Sequence, residues 1–329
     1  MNDYDFLRGK PRNQTLLLVE GEKTEKAILN IISKSTPYNV IEMKNVHVFR
    51  SNIYNLFSLI ESEYPGVWDD ENVDINIPLL ISRRENLDIA LDKRDFTNII
   101  LAFDFDKQDS QYSAKKICIM QKRFSDMTGE GILYLSYPMI EAFYDMKEIP
   151  EEWYYKRIYS ATYRRGKEYK RYVLNYSCLI RYFDFYDILV HKFDGRNHEV
   201  EYILNNNFCS FDELQIMENE EGSTSEKFIY ELNALLRNFD MDFSKKTFYE
   251  QVWSKIYIVS LQNITKAWWI QTGTLVNDKE NVHDIYNNID LLKILEKQIN
   301  VSADVEKGII YVLCTPIMLL GEYKFFWNM

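Results

Sequence analysis

Three carboxylates directly follow two apolar segments, and their positions predict a site for a divalent cation. Glu20 follows the apolar run that ends at Val19, and Asp104 and Asp106 follow the run that begins at Ile99. Such runs are typical of buried strands in a parallel sheet, and open α/β sheets bind ligands beyond the carboxyl ends of their strands. Carboxylates gathered there repel one another unless a cation lies between them, and Mg²⁺ or Mn²⁺ prefers oxygen ligands of this kind.

Four further carboxylates lie near these three in the sequence and are candidates for a second ion or for a general base: Glu22, Glu25, Asp109 and Glu141. We predict Asp109 as an additional metal ligand and Glu141 as an additional catalytic residue. Glu141 lies among apolar residues, so it needs a metal ion, a helix N-terminus or an arginine as its partner. For Glu25 an alternative is the first turn of a helix, where a carboxylate favours the helix dipole. For the acidic strand ends the alternative is a solvated strand-to-loop turn.

An alternation of strands and helices must position these residues. The first half of the chain predicts strands at 15–19, 40–49, 98–103 and 132–135, and helices from Ala27, at 53–60 and at 113–124. Residues 51–96 read as an insertion of helices and loops between two strands of the same sheet. This order is the signature of an α/β fold, with a parallel sheet and right-handed crossovers flanked by helices.

The alternation is lost after residue 150, where the chain becomes mainly helical. The predicted helices are at 200–205, 225–239, 248–261 and 285–298. The apolar segment Gly308 to Leu320 is too short to span a bilayer and predicts a buried helix or strand. We therefore expect two domains, 1–149 for metal binding and 150–329 for binding a substrate or a partner.

The segment from Trp153 to Tyr176 combines basic and aromatic residues. Its basic residues are Lys156, Arg157, Arg164, Arg165, Lys167, Lys170 and Arg171, and its tyrosines are at 154, 155, 159, 163, 169, 172 and 176. Basic groups neutralise phosphates and aromatic rings stack on unpaired bases, so the segment is a candidate nucleic-acid surface. The alternative is that the tyrosines pack on the core and the arginines pair with acidic residues. Lys107, beside Asp106, is a further candidate for phosphate binding or simply a solvated lysine.

The composition excludes several classes of protein. A formal net charge of -11 argues against a protein coated in basic surface, although a local basic stripe remains compatible with it. The four cysteines form no C-x-x-C pair, which excludes a zinc signature of that kind. No P-loop motif occurs, so ATP hydrolysis by this chain alone is not expected. The polar N-terminus has no signal-peptide core, and we expect a cytoplasmic protein that does not enter a membrane.

The two acidic strand ends resemble the Toprim domain, which topoisomerases, bacterial primases and the OLD and RloB-like nucleases share. The run from Leu17 to Glu25 is similar to the E-G-x-x-T-E run of the RloB-like branch, and the run from Tyr137 to Phe143 is similar to a Pro and Glu segment of that branch. The resemblance covers residues 14–146, and residues 150–329 resemble no family.

The resemblance implies a Toprim-like fold and a metal-dependent nuclease that cuts RNA or DNA, with Glu20, Asp104 and Asp106 around Mg²⁺ or Mn²⁺. It also implies an effector in bacterial anti-phage defence, acting beside an ATPase partner as a homo-oligomer or hetero-complex. One alternative is a non-catalytic Toprim-like module for assembly or regulation that binds such an ATPase. A primase or topoisomerase fragment is a further alternative, for which no companion motif occurs.

Overall fold

A computed structural model describes residues 14–36, 41–161, 166–207, 226–276, 282–304 and 306–328. It has an α/β architecture, with a mixed central sheet of mostly parallel strands, flanking helices and a helical C-terminal region. The predicted fold class is confirmed at this level.

The central sheet is built on four parallel strands in the order β2-β1-β3-β5. They are β1 (Thr15–Val19), β2 (Val46–Val48), β3 (Asn98–Asp104) and β5 (Gly131–Tyr137). The short β4 (Ser125–Asp126) and β8 (Leu313–Cys314) both pair antiparallel with β5, near its two ends. The register places Val19 beside Ala102, so the chains that leave β1 and β3 emerge next to each other.

Burial on both faces explains why the central strands are continuous apolar runs. Residues 16–19 of β1 and 99–103 of β3 are all buried, because helices cover both sides of the sheet. The four predicted strands are confirmed, but β2 is three residues long where the sequence predicted ten. Its preceding residues form a short 3₁₀ turn, Met43–Asn45, and not an extended segment.

Helices that connect the strands follow the predicted pattern. They are α1 (Thr24–Ser35), α2 (Ile53–Glu63), α3 (Ile77–Glu85) and α4 (Ala114–Arg123). The side chains of Asn52, Asn76 and Ser113 accept hydrogen bonds from the first turns of α2, α3 and α4, which fixes where these helices begin. The predicted insertion between β2 and β3 contains α2 and α3.

The C-terminal region is mainly helical. It begins with a 3₁₀ helix (Tyr154–Lys156) and β6 (Ile158–Ser160). The helices that follow are α5 (Gly166–Tyr176), α6 (Ile180–Lys192), α7 (Asn197–Asn205), α8 (Glu226–Asn238), α9 (Phe248–Thr272), α10 (Val282–Tyr286) and α11 (Leu291–Val301). The last described elements are β7 (Ile309–Tyr311), β8, a 3₁₀ helix (Thr315–Glu322) and α12 (Lys324–Trp327). The helix predicted at 285–298 is two helices, because Asp290 accepts hydrogen bonds from the backbone of Leu292 and Lys293 and so begins α11.

The apolar segment from Gly308 to Leu320 joins this region to the central sheet. It forms β7, which pairs with β6, then β8, then a buried 3₁₀ helix. The Thr315 hydroxyl donates to the carbonyl of Leu135 at 2.8 Å, which fastens the 3₁₀ helix to β5. The cysteines at 118, 178 and 314 are free thiols, and Cys209 lies outside the described residues. Within the described ranges, no helix has the length and apolar character needed to cross a membrane.

Candidate functional site

Glu20 and Asp104 meet at the carboxyl edge of the sheet. The backbone N–H of Glu20 donates to the Ala102 carbonyl at 3.2 Å, which continues the pairing of β1 with β3. The backbone N–H of Asp104 then donates to Glu20 Oε2 at 3.1 Å. The two predicted metal ligands are therefore adjacent, and the expectation that they share one edge is confirmed.

Asp106 and Asp109 lie in the loop that follows β3. Phe105 is buried, and its backbone N–H donates to the Ser136 carbonyl at 3.0 Å, so the chain leaves the sheet only at Asp106. The Asp109 carboxylate accepts hydrogen bonds from the Gln111 backbone at 2.7 Å and from Asn52 Nδ2 at 2.8 Å. These bonds order the loop and tie it to the start of α2, while the predicted metal role of Asp109 stays a prediction.

Glu25 supports the loop that carries Glu20. Its Oε1 accepts a hydrogen bond from the Gly21 backbone N–H at 2.8 Å. A Cβ atom at Gly21 would lie 2.7 Å from the Glu25 carboxylate, so this close approach requires glycine. Glu25 also lies in the first turn of α1, which agrees with the predicted alternative that its carboxylate favours the helix dipole.

Glu141 is buried, and its partner is a lysine from α5. Lys170 Nζ lies 2.6 Å from Glu141 Oε1 and also donates to Thr24 Oγ1 at 2.9 Å. The Thr24 hydroxyl in turn donates to Glu141 Oε1 at 3.3 Å. The predicted need for a partner is confirmed, but the partner is neither an arginine nor a helix N-terminus.

These residues form a carboxylate cluster, which we define as Glu20, Glu25, Asp104, Asp106, Asp109 and Glu141. Burial raises the pKa of Glu20 to about 8, and the charges of Glu25 and two aspartates add to the effect. Burial, and after it the charge of Glu20, raises the pKa of Asp104 well above its usual range. Burial and the charge of Asp109 raise the pKa of Asp106.

The donor chemistry of the cluster suits Mg²⁺ or Mn²⁺, but its geometry is not that of an assembled site. Across the described residues, no group of three or more His, Cys, Asp or Glu side chains is arranged to hold a metal ion. One oxygen of Glu20 is engaged by the Asp104 backbone, and like charges favour separation of the remaining oxygens. The predicted contact of Glu20 with Asp104 is present, whereas the convergence of three ligands on one point is not.

The basic segment divides into residues that pack and residues that face solvent. Arg157 forms ion pairs with the buried carboxylates of Asp145, at 3.6 Å, and Glu151. The rings of Tyr154 and Tyr169 are fully buried. For these three residues, the structure favours the packing alternative.

The other residues predicted to bind nucleic acid differ in their exposure to solvent. Lys156 is exposed and lies 4.4 Å from the ring centroid of Trp153, and Arg171 is exposed on α5. Lys107 is half-buried beside Asp106, where burial lowers the pKa of its ammonium group. Lys170 points to the carboxylate cluster. Arg164 and Arg165 lie outside the described residues.

Arg50 is a residue of the site that the sequence reasoning missed. It follows β2, and its backbone N–H donates to the Glu20 carbonyl at 2.9 Å. Its guanidinium Nε and Nη2 each lie 3.3 Å from a carboxylate oxygen of Glu22. The sequence did contain a signal for Arg50, because this basic residue directly follows the strand predicted at 40–49.

Comparison of the chain with protein-family models, with curated proteins and with solved structures found no match. The function proposed below depends on the residues of the carboxylate cluster and on the resemblance of two short segments.

Proposed function

We propose that this chain is a metal-dependent nuclease with a Toprim-like fold, which cleaves phosphodiester bonds in RNA or DNA. The observation that carries the proposal is the contact between Glu20 and Asp104 at the carboxyl edge of parallel strands. Burial raises the pKa of both carboxyl groups, and the charges of neighbouring carboxylates add to the effect. A divalent cation at this position would relieve that repulsion and favour the ionised carboxylates.

Glu20, Asp104 and Asp106 would hold the metal ion once their side chains converge on one point. When bound, the ion supplies charge stabilisation for a phosphodiester and lowers the pKa of an attacking water. The protein orients Glu20 through the Asp104 backbone and through the loop that Glu25 supports. Lys170 pairs with Glu141 of the cluster, and its half-exposed side chain would place the ammonium group in contact with a substrate phosphate.

The biological setting of the proposal comes from the resemblance alone. We propose an effector in bacterial anti-phage defence that acts beside an ATPase partner. The helical C-terminal region would bind the nucleic acid, the partner or a second copy of the chain.

The alternative function is a non-catalytic module for assembly or regulation, and one observation favours it. Lys170 already neutralises Glu141, and the described carboxylates do not surround a metal position. In that case the ion pair between Lys170 and Glu141 would serve to dock α5, and no metal would be required.

Cleavage assays on labelled RNA and DNA test the proposal. We expect cleavage with Mg²⁺ or Mn²⁺, none with EDTA, and a loss of about 100-fold or more in Asp104→Asn. Asp126→Asn is the control, because this exposed aspartate pairs with the first residue of β5 at the opposite edge of the sheet. Equal cleavage by both variants would overturn the assignment, and no metal-dependent cleavage by the wild type would favour the non-catalytic module.

A further inference from the structure

We propose that the substrate strand crosses the carboxyl edge of the sheet at right angles to the strands, held by Arg50 on one side of the carboxylate cluster and by Lys170 on the other. This inference rests on the proposed function and names its substrate class. The substrate is a polynucleotide with phosphates on both sides of the scissile bond, and cleavage is internal.

The backbone of Arg50 is fixed against the cluster. Arg50 is a non-glycine residue in the left-handed region, with φ of 55°. Its N–H bond to the Glu20 carbonyl follows a bond from the Phe49 N–H to the Val19 carbonyl at 2.8 Å, so the pairing of β2 with β1 extends to Arg50. Left-handed backbone at a non-glycine residue costs of order 1 kcal/mol and concentrates at functional sites.

The guanidinium of Arg50 is available to a phosphate. Its side chain is 58 % exposed, and its partner Glu22 is 53 % exposed, so their ion pair is weak and easily exchanged. A guanidinium binds phosphate through two parallel hydrogen bonds, which are stronger than this long contact. Arg84 stacks on the Phe49 ring, with its Cζ 3.7 Å from the ring centroid, and adds positive charge beside Arg50.

Lys170 occupies the opposite flank. Its partner Glu141 follows β5, and 45 % of the Lys170 side chain is exposed. The ammonium group therefore reaches the buried carboxylate while keeping a solvent-facing side. A lysine has three donors, and here Glu141 and Thr24 are the acceptors of two bonds.

The sheet order sets the direction of the strand. Arg50 follows β2 and Glu141 follows β5, while Glu20 and Asp104 follow the two strands between them. Neighbouring strands lie about 4.8 Å apart, so the ends of β2 and β5 are separated by on the order of 14 Å. The cluster itself repels phosphates, and cations on both flanks would hold a polynucleotide across it.

Oligonucleotide binding over a salt series tests the role of Arg50. The measurements use Asp104→Asn as the background, so that cleavage does not consume the fluorescent oligonucleotide. We expect Arg50→Gly to weaken binding about tenfold at low salt and to reduce the slope of log K against log salt by about one. Glycine adopts the left-handed backbone without strain, so the melting temperature should be maintained and the loss is one of binding.

Arg94→Gly is the matched control. Arg94 is 84 % exposed, pairs with Asp92, and precedes β3, which places it at the opposite edge of the sheet. We expect its salt slope to equal that of the background protein. Lys170→Gln should reduce the slope as Arg50→Gly does.

The outcomes separate this inference from the proposed function. If Asp104→Asn abolishes metal-dependent cleavage but Arg50→Gly binds like Arg94→Gly, the clamp is overturned and the nuclease assignment stands. Cleavage only at the terminal bonds of a long oligonucleotide would also overturn the clamp. If Asp104→Asn cleaves normally, the nuclease assignment fails whatever Arg50→Gly does to binding.

Discussion

Glu20 and Asp104 illustrate how a fold can assemble an acidic site at a cost in stability. The apolar segments before them must lie side by side to be buried, and their pairing brings the two carboxylates together. Burial then opposes ionisation at both residues. In the metal-free protein these groups therefore hold protons at a pH at which ordinary carboxyl groups have lost them.

The first prediction is a fall in stability as the pH rises. The pKa of Glu20 is raised from 4.5 to about 8 on folding, so between these values the folded state binds more protons than the unfolded state. This stabilising contribution is complete below pH 4.5 and is lost as the pH rises through about 8. We expect the melting temperature in EDTA to fall by at least a few degrees from pH 5.5 to pH 8.5, because each pKa unit of linkage corresponds to about 1.4 kcal/mol of stability. Asp104→Asn should show a smaller fall, and an equal fall in both proteins would contradict the coupling.

The second prediction concerns metal binding at these same residues. Protons and divalent cations compete for the carboxylates, so Mn²⁺ should raise the melting temperature more at pH 8.5 than at pH 5.5, by about a few degrees at saturating metal. Asp104→Asn should reduce this effect, and Asp126→Asn should preserve it. A metal effect that is independent of pH would place the bound ion outside the cluster.

At the scale of single elements, the tyrosines of α5 differ in burial. Tyr169 is buried and donates to the buried carboxylate of Asp145 at 2.8 Å, whereas Tyr172 is 54 % exposed. The alternating aromatic and basic residues suggested either a core face or a nucleic-acid surface. Tyr169 and Val173, one turn apart on α5, are buried and form its core face, and Tyr172 lies at the exposed edge of that face.

The third prediction separates these two faces. Tyr169→Ala should destabilise the protein by about 3 to 5 kcal/mol, because it opens a cavity and removes a hydrogen bond from Asp145. Tyr172→Ala should change the free energy of unfolding by less than about 0.5 kcal/mol. If Tyr172 stacks on a base, its alanine variant loses about 1 to 3 kcal/mol of oligonucleotide binding. Denaturant unfolding and binding titrations check both residues, and equal destabilisation by the two variants would contradict the division.

The parts of the molecule that the sequence predicted are those with a local signal. Apolar runs predicted the parallel strands, and helical spacing predicted α2 and α4. The two antiparallel strands of the central sheet, β4 and β8, are two residues long and carry no periodicity. The Lys170 partner of Glu141 is 29 residues away in the chain, and no local pattern encodes such a contact. The acidic strand ends were predictable because two separate strands each end in carboxylates. Arg50 is a single basic residue after one strand, and no second strand repeats that pattern.

At the scale of the whole molecule, buried polar contacts within the C-terminal region hold α9 against β8, which pairs with the central sheet. In α9, Asn263 accepts hydrogen bonds from the Tyr154 hydroxyl at 3.0 Å and from the Cys314 backbone at 2.8 Å. Lys266 is fully buried and donates to the carbonyls of Tyr154 and Arg157, each at 2.8 Å. Burial lowers the pKa of the Lys266 ammonium group well below its usual range. These contacts, together with β8, make the C-terminal region part of the structure that supports the sheet.

The fourth prediction is that the chain unfolds as one unit, although the sequence suggested a domain boundary near residue 150. The pairing of β8 with β5 and the bond from Thr315 to Leu135 mean that the central sheet loses an edge partner when the C-terminal region unfolds.

Asn263→Ala leaves two buried donors without an acceptor, so it should destabilise the protein by about 2 to 4 kcal/mol in total. We expect one calorimetric transition, with equal calorimetric and van't Hoff enthalpies, that moves as a whole to lower temperature in this variant. Ser254→Ala, at a partly exposed position of α9, is the control and should leave the transition in place. Two transitions, of which Asn263→Ala moves only one, would show that the regions fold independently.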